Sequence, residues 1–182
     1  MPTVTLNPGT IVSSNGWTNP ANIASDNNVY STYAEATEGN ALLIRLNSTG
    51  LASNIDINSV RVGLGDLFVQ SKTPATGLIG VQILKASNTS VVYYDESLDF
   101  NNNSLSYLQT LRTEASSGVK WTVGAAATSV DDLALKITVI DGESSFPIFL
   151  DHTFIIVDYI AATSPFKITE GIIKLTSGKV II

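Results

Sequence analysis

The chain holds a single histidine, His152, set between Asp151 and Thr153. An imidazole beside a carboxylate is the usual starting point for general acid–base catalysis. Neighbours on a strand point to opposite faces, however, so adjacency alone does not make a dyad. There is no cysteine nucleophile, no Gly-x-Ser-x-Gly elbow and no His-Glu-x-x-His helix to accompany it. Only carboxylates converged by folding would be left to do hydrolytic work. The expectation is a non-enzymatic protein with no catalytic residue.

Three clusters offer oxygen atoms of the kind calcium uses: Asp26-Asn27-Asn28, Asp99-Phe100-Asn101-Asn102-Asn103 and Asp131-Asp132. None has the alternating spacing and terminal glutamate of an EF-hand loop, and Asp and Asn are also the residues that make turns. No metal is assigned. Gly63-Leu64-Gly65-Asp66 lacks the following Lys-Ser/Thr and helix of a phosphate cradle, so no cofactor is expected either. The Asn-x-Ser/Thr triplets at Asn47, Asn88 and Asn102 are accidents of an Asn-rich chain.

Eight aromatic residues could stack on sugar rings: Trp17, Tyr30, Tyr33, Tyr93, Tyr94, Tyr107, Trp121 and Tyr159. In a β-sandwich an aromatic is more often core. Trp17 and Tyr33, in polar N-terminal loops, are the expected exceptions, and with Tyr30 they define a candidate glycan site.

Sixteen acidic against ten basic residues give a net charge of -6. Phosphate binding needs clustered Lys and Arg, which are scattered singly here, so nucleic acid is not an expected partner. With 44% hydrophobic and only 14% charged residues, the composition suits a turn-rich sandwich better than a helical bundle built on Glu, Lys and Arg. No apolar run approaches the roughly 20 residues that span a bilayer, so no membrane partner is expected. The opening Met1-Pro2-Thr3-Val4-Thr5-Leu6 has neither the basic start nor the apolar stretch of a leader, which reads as a cytoplasmic product.

The elements that must position these residues read as strands. Alternation puts Leu42, Ile44 and Leu46 on one face of a strand, and likewise Val60, Val62 and Leu64, then Ile79, Val81 and Ile83, then Leu135, Ile137 and Val139. Asn88-Thr89-Ser90 is expected to connect a hairpin whose second strand begins at Val91. Residues 150–160 are almost continuously apolar, as in a central strand covered on both faces. Residues 103–113, with Leu105, Leu108 and Leu111 every third position, fit a helix, although an irregular strand also fits. Short strands with turns between them predict an all-β, antiparallel, jelly-roll-like β-sandwich over residues 1–163.

Residues 164–182 form a separate arm. Ile172-Ile173-Lys174-Leu175 and Lys179-Val180-Ile181-Ile182 flank Thr176-Ser177-Gly178, the pattern of a β-hairpin. A lone hairpin is marginal in water, so it either joins the domain's own sheet or pairs with a neighbouring subunit. On the second alternative Phe166, Ile168, Ile172, Ile173, Leu175, Val180 and Ile181 are interface residues. Asp158 joins them, as a charge in an apolar strand that needs a donor from a loop, a partner chain or solvent.

Three stretches together resemble a family of jelly-roll-like β-sandwich modules that recurs in bacteriophage virion and tail proteins. The first runs from Trp17-Thr18-Asn19-Pro20 through Asp26-Asn27-Asn28 to Tyr33-Ala34. The second is Trp121 followed by Asp131-Asp132-Leu133-Ala134-Leu135-Lys136-Ile137, and the third is the closing Leu150-Asp151-His152-Thr153-Phe154-Ile155-Ile156-Val157-Asp158-Tyr159. The resemblance covers residues 17–160 and implies a virion structural protein, most simply a capsid decoration (cement) protein or tail component. Its partners would be its own chain as a homo-oligomer, a trimer first, and the major capsid or tail proteins. It carries no active-site residues. A carbohydrate-binding or host-attachment module is the alternative.

Overall fold

A computed structural model of the chain describes residues 1–24, 27, 30–33, 39–69, 76–101, 105–109, 112–142 and 147–161. In chain order the strands are β1 (Thr3–Leu6), β2 (Pro8–Ser14), β3 (Trp17–Thr18), β4 (Ser31–Tyr33), β5 (Ala41–Leu46), β6 (Asp56–Val69) and β7 (Thr76–Lys85). There follow β8 (Asn88–Asn101), β9 (Leu105–Leu108), β10 (Glu114–Ser116), β11 (Val119–Lys120), β12 (Leu133–Gly142), β13 (Ile148–Leu150) and β14 (His152–Ile160). The strand pairings within the sheets are antiparallel, and the one helical turn among the described residues is the 3-10 turn Pro20–Ile23.

The fold is an all-β antiparallel sandwich. One sheet runs β2-β5-β12-β7-β8; the other runs β1-β14-β6-β13-β4-β3, with β9 also paired to β6. Period-2 alternation builds the core between them. In the first sheet Leu135 lies between Ile44 and Ile83, and Ile137 between Leu42 and Val81, all buried. In the second, Val60 pairs with Val157 and Val62 with Ile155, again all buried. Each such side chain contributes on the order of 1.5–3 kcal/mol by leaving water.

One local expectation is settled and two are corrected. Of the two readings of residues 103–113, the strand holds where the stretch is described: Leu105–Leu108 is a strand on β6, and Leu108 is 51% exposed. The β7–β8 turn is Ala86-Ser87, and Asn88-Thr89-Ser90 belongs to β8. Asp132 sets that turn: its carbonyl accepts the Ala86 N–H (2.8 Å), while its carboxylate accepts the Ser87 N–H (2.8 Å) and the Ser87 hydroxyl. Finally, β14 is central, between β1 and β6, but only its Thr153, Ile155 and Val157 face is sealed. Phe154 and Ile156 on the other face are half-buried.

Candidate binding site

The β7–β8 pair carries a β-bulge that matters for the site. Tyr94 is the register partner of Ile83, and Val92 of Leu84, so Tyr93 is an extra residue without a partner. A bulge re-aims the side chain it carries. The Tyr93 ring packs edge-on against Trp121 at 5.3 Å between centroids, and its hydroxyl donates to the Ala127 carbonyl at 2.6 Å. Burial, with the Asp132 charge, raises its pKa, so the phenol stays protonated as a donor.

Tyr93 forms one wall of an open cavity of about 430 Å³ whose other walls come from residues 112–117. That volume lies within the range of small-molecule sites, about 300–1,000 Å³. Arg112 is fixed by backbone bonds exchanged with Val60 (3.0 and 2.9 Å), and its carbonyl also accepts the Trp121 Nε1–H at 3.1 Å. The β10–β11 ribbon then turns at Gly118, whose φ of +74° suits glycine. Its N–H is held by the Glu114 carboxylate at 2.9 Å, and the buried Ala115 anchors the ribbon to the core. The cavity is therefore lined by Arg112, Thr113, Glu114, Ser116 and Ser117 beside the Tyr93 ring.

Beneath this cleft Glu96 gathers the hydroxyls of Tyr94 and Tyr107 and the Gln109 side-chain amide at 3.4 Å, and Arg112 lies 4.0 Å above the Tyr94 ring. Burial opposes ionisation of Glu96. The hydrogen bonds from Tyr107, Tyr94 and Gln109 and the Arg112 charge outweigh it, and the carboxyl sits below its usual range. The pKa of Tyr107 is pushed up by burial and by this carboxylate. The cluster keeps the Tyr94 and Tyr107 phenols protonated as donors to Glu96.

The aromatic residues singled out from sequence lie elsewhere. Trp17 is only 5% exposed, so it is core and cannot stack on a ligand: β3 pairs with β4, and alternation turns Trp17 inward. Tyr30 packs edge-on against Phe68 and Phe149 at 5.4 and 5.8 Å and is half-buried. The side chain of Tyr33 falls outside the described residues. His152 lies half-buried against Phe154, while Asp151 is buried and accepts the Asn27 N–H at 3.2 Å. Asp151 falls in the break between β13 and β14, and His152 is the first residue of β14.

Asp158 is 6% exposed and finds its donor on the adjacent strand: the Ser59 hydroxyl at 2.6 Å, with Arg61 at 3.7 Å. It needs neither a loop nor a partner chain for that purpose. Phe166, Ile168, Ile172, Ile173, Leu175, Val180 and Ile181 lie outside the described residues. Of the calcium candidates, Asp131 accepts from the N–H and hydroxyl of Thr49 (2.7 and 2.6 Å) and from the Gly124 N–H at 3.2 Å, and Asp132 caps the hairpin. Among the described residues no group of three His, Cys, Asp or Glu is placed to hold a metal ion.

No family model matches the chain, and no curated protein matches it. Among the solved structures that follow a similar course are these two. One is the CBM36-1 domain of a multidomain xylanase from the hindgut metagenome of Trinervitermes trinervoides, at 5% identity and a TM-score of 0.45, covering 86% of this chain and 97% of that one. The other is TmCBM61 in complex with β-1,4-galactotriose, at 12% identity and a TM-score of 0.35, covering 85% and 87%. Neither carries a site residue over to this chain.

Proposed function

We propose that the protein is a non-catalytic binding module for carbohydrate, and that the Tyr93 cleft is its site. The observation that carries this is the bulge that turns Tyr93 to the rim of a cavity otherwise walled by Arg112, Glu114 and three hydroxyls. A sugar ring has one C–H face that is effectively apolar and an edge of hydroxyls that both donate and accept. It is recognised by an aromatic face flanked by mixed donors and acceptors. The cleft supplies both, on side chains already held by the Trp121 contact and the Glu114–Gly118 bond, so little ordering remains to be done on binding.

The test is a glycan array followed by calorimetry on the strongest ligands, with Tyr93→Ala alongside. Binding that weakens about tenfold or more in the variant, at unchanged melting temperature, supports the reading. No binding across the array, or equal binding by the variant, overturns it. A virion-scaffold role has its candidate arm, residues 164–182, outside the described residues, and no specific contact favours it over the cleft.

A further inference from the structure

We infer that the cleft continues into a second subsite, so that the ligand is an uncharged glycan chain of two or more units. This rests on the carbohydrate reading above and deepens it. A second cavity, of about 300 Å³, is lined by Asp56, Asn58, Lys120, Trp121, Ile160 and Thr113. Thr113 also lines the first cavity, so the two share a wall that is one small side chain.

One aromatic contact joins the linings of the two cavities. Tyr93 belongs to the first and Trp121 to the second, and their rings are in edge contact at 5.3 Å. Trp121 is fixed in turn by its bond to the Arg112 carbonyl. Half-exposed Ile160 gives the second cavity an apolar surface for a sugar C–H face, and Asn58 offers both a donor and an acceptor for hydroxyls. Two adjoining cavities with the same mixture of surfaces fit consecutive units of one chain. The second unit then binds intramolecularly, at high effective concentration.

Charge identifies the chain as neutral. The first cavity holds Arg112 and Glu114, and the second holds Lys120 and Asp56: one cation and one carboxylate each. Glu114 and Lys120 are register partners across the β10–β11 ribbon, so the two pairs adjoin. A uronate or phosphate would meet as much repulsion as attraction in either cavity, on a chain whose net charge is -6. An uncharged hydroxyl edge meets no net charge in either cavity.

The experiment is an NMR titration with ladders of neutral β-1,4-linked oligosaccharides (glucose, xylose, mannose and galactose units) and an oligogalacturonate ladder, each from a single unit upward. It is run on the wild type and on Asp56→Ala/Lys120→Ala, both exposed positions. The expected result is a rise in affinity of about tenfold or more from one unit to two or three on a neutral ladder. The double variant abolishes that rise and binds the single unit as the wild type does. Wild-type affinity that is flat with length, or tighter binding of the uronate ladder, overturns the inference and leaves the first cavity standing. Loss of binding to every ladder, single units included, overturns the carbohydrate reading and the inference with it.

Discussion

Tyr107 of β9 donates its hydroxyl to Glu96 of β8 at 2.5 Å, and β9 and β8 belong to different sheets. The bond therefore ties the two layers of the sandwich together at one edge. The same carboxylate receives the Tyr94 hydroxyl and the Gln109 amide, and Gln109 in turn accepts the Val62 N–H at 3.1 Å. Ionised Glu96 is an acceptor only, which is what three converging donors require.

This tie makes stability depend on pH. The Glu96 carboxyl is lowered in the folded state from an ordinary value of 4.5. A carboxyl depressed by folding contributes stability that is fully present above its unfolded pKa and is lost as pH falls through the folded one. Melting temperature should therefore drop as the solution is acidified below about pH 4.5. Glu96→Gln should show a shallower acid limb and a lower plateau at neutral pH. An acid limb as steep as that of the wild type would remove Glu96 from the account.

Two glycines give a paired prediction about packing. A Cβ at Gly77 would lie 2.5 Å from the Phe100 ring, and one at Gly63 would lie 2.1 Å from the Phe154 ring. Phe100 is buried, whereas Phe154 is half-open and can swing outward. Gly77→Ala should therefore cost about 1–3 kcal/mol of unfolding free energy, and Gly63→Ala distinctly less despite the closer approach. Urea denaturation of both variants checks the order, and the reverse order would contradict it.

The inward rows were legible because period-2 alternation is local: Val60, Val62 and Leu64, and likewise Ile79, Val81 and Ile83, are buried where alternation puts them. What depends on distant pairing was not legible. Trp17 looks exposed among Asn, Pro and Gly, yet a two-residue pairing with β4 places it in the core. The leucines at 105 and 108 keep a helical interval but sit beside the long β6, which offers strand partners. Tyr93 had no such signal: Val91-Val92-Tyr93-Tyr94 reads as an ordinary strand, and the bulge depends on the pairing with β7.

The buried charge near the end of β14 gives a third prediction. Ser59 is fully buried and donates to Asp158. Asp158→Ala would strand that hydroxyl and remove the carboxylate facing Arg61, at a cost of about 1–3 kcal/mol. Asp158→Asn keeps an acceptor for Ser59 and should lose less. Equal losses in chemical denaturation would mean that the charge, and not the acceptor, is what the site requires.

Asp131 gives the last prediction, and it concerns the loops that support the cleft end of the sandwich. One Asp131 oxygen takes both the N–H and the hydroxyl of Thr49, and the other takes the N–H of Gly124, so a single carboxylate joins three chain segments. Thr49 is itself largely buried, and both its N–H and its hydroxyl bond to this carboxylate. Asp131→Ala should cost about 1–3 kcal/mol, because it leaves donors unsatisfied without removing apolar contact. The loss should also be local. In hydrogen exchange the amides of Thr49 and Gly124 should lose protection in the variant by more than the global destabilisation accounts for. The Leu135 and Ile137 amides, in the centre of the first sheet, should lose only the global amount. A uniform loss across both sets would show that the carboxylate supports the whole sandwich and not these loops in particular.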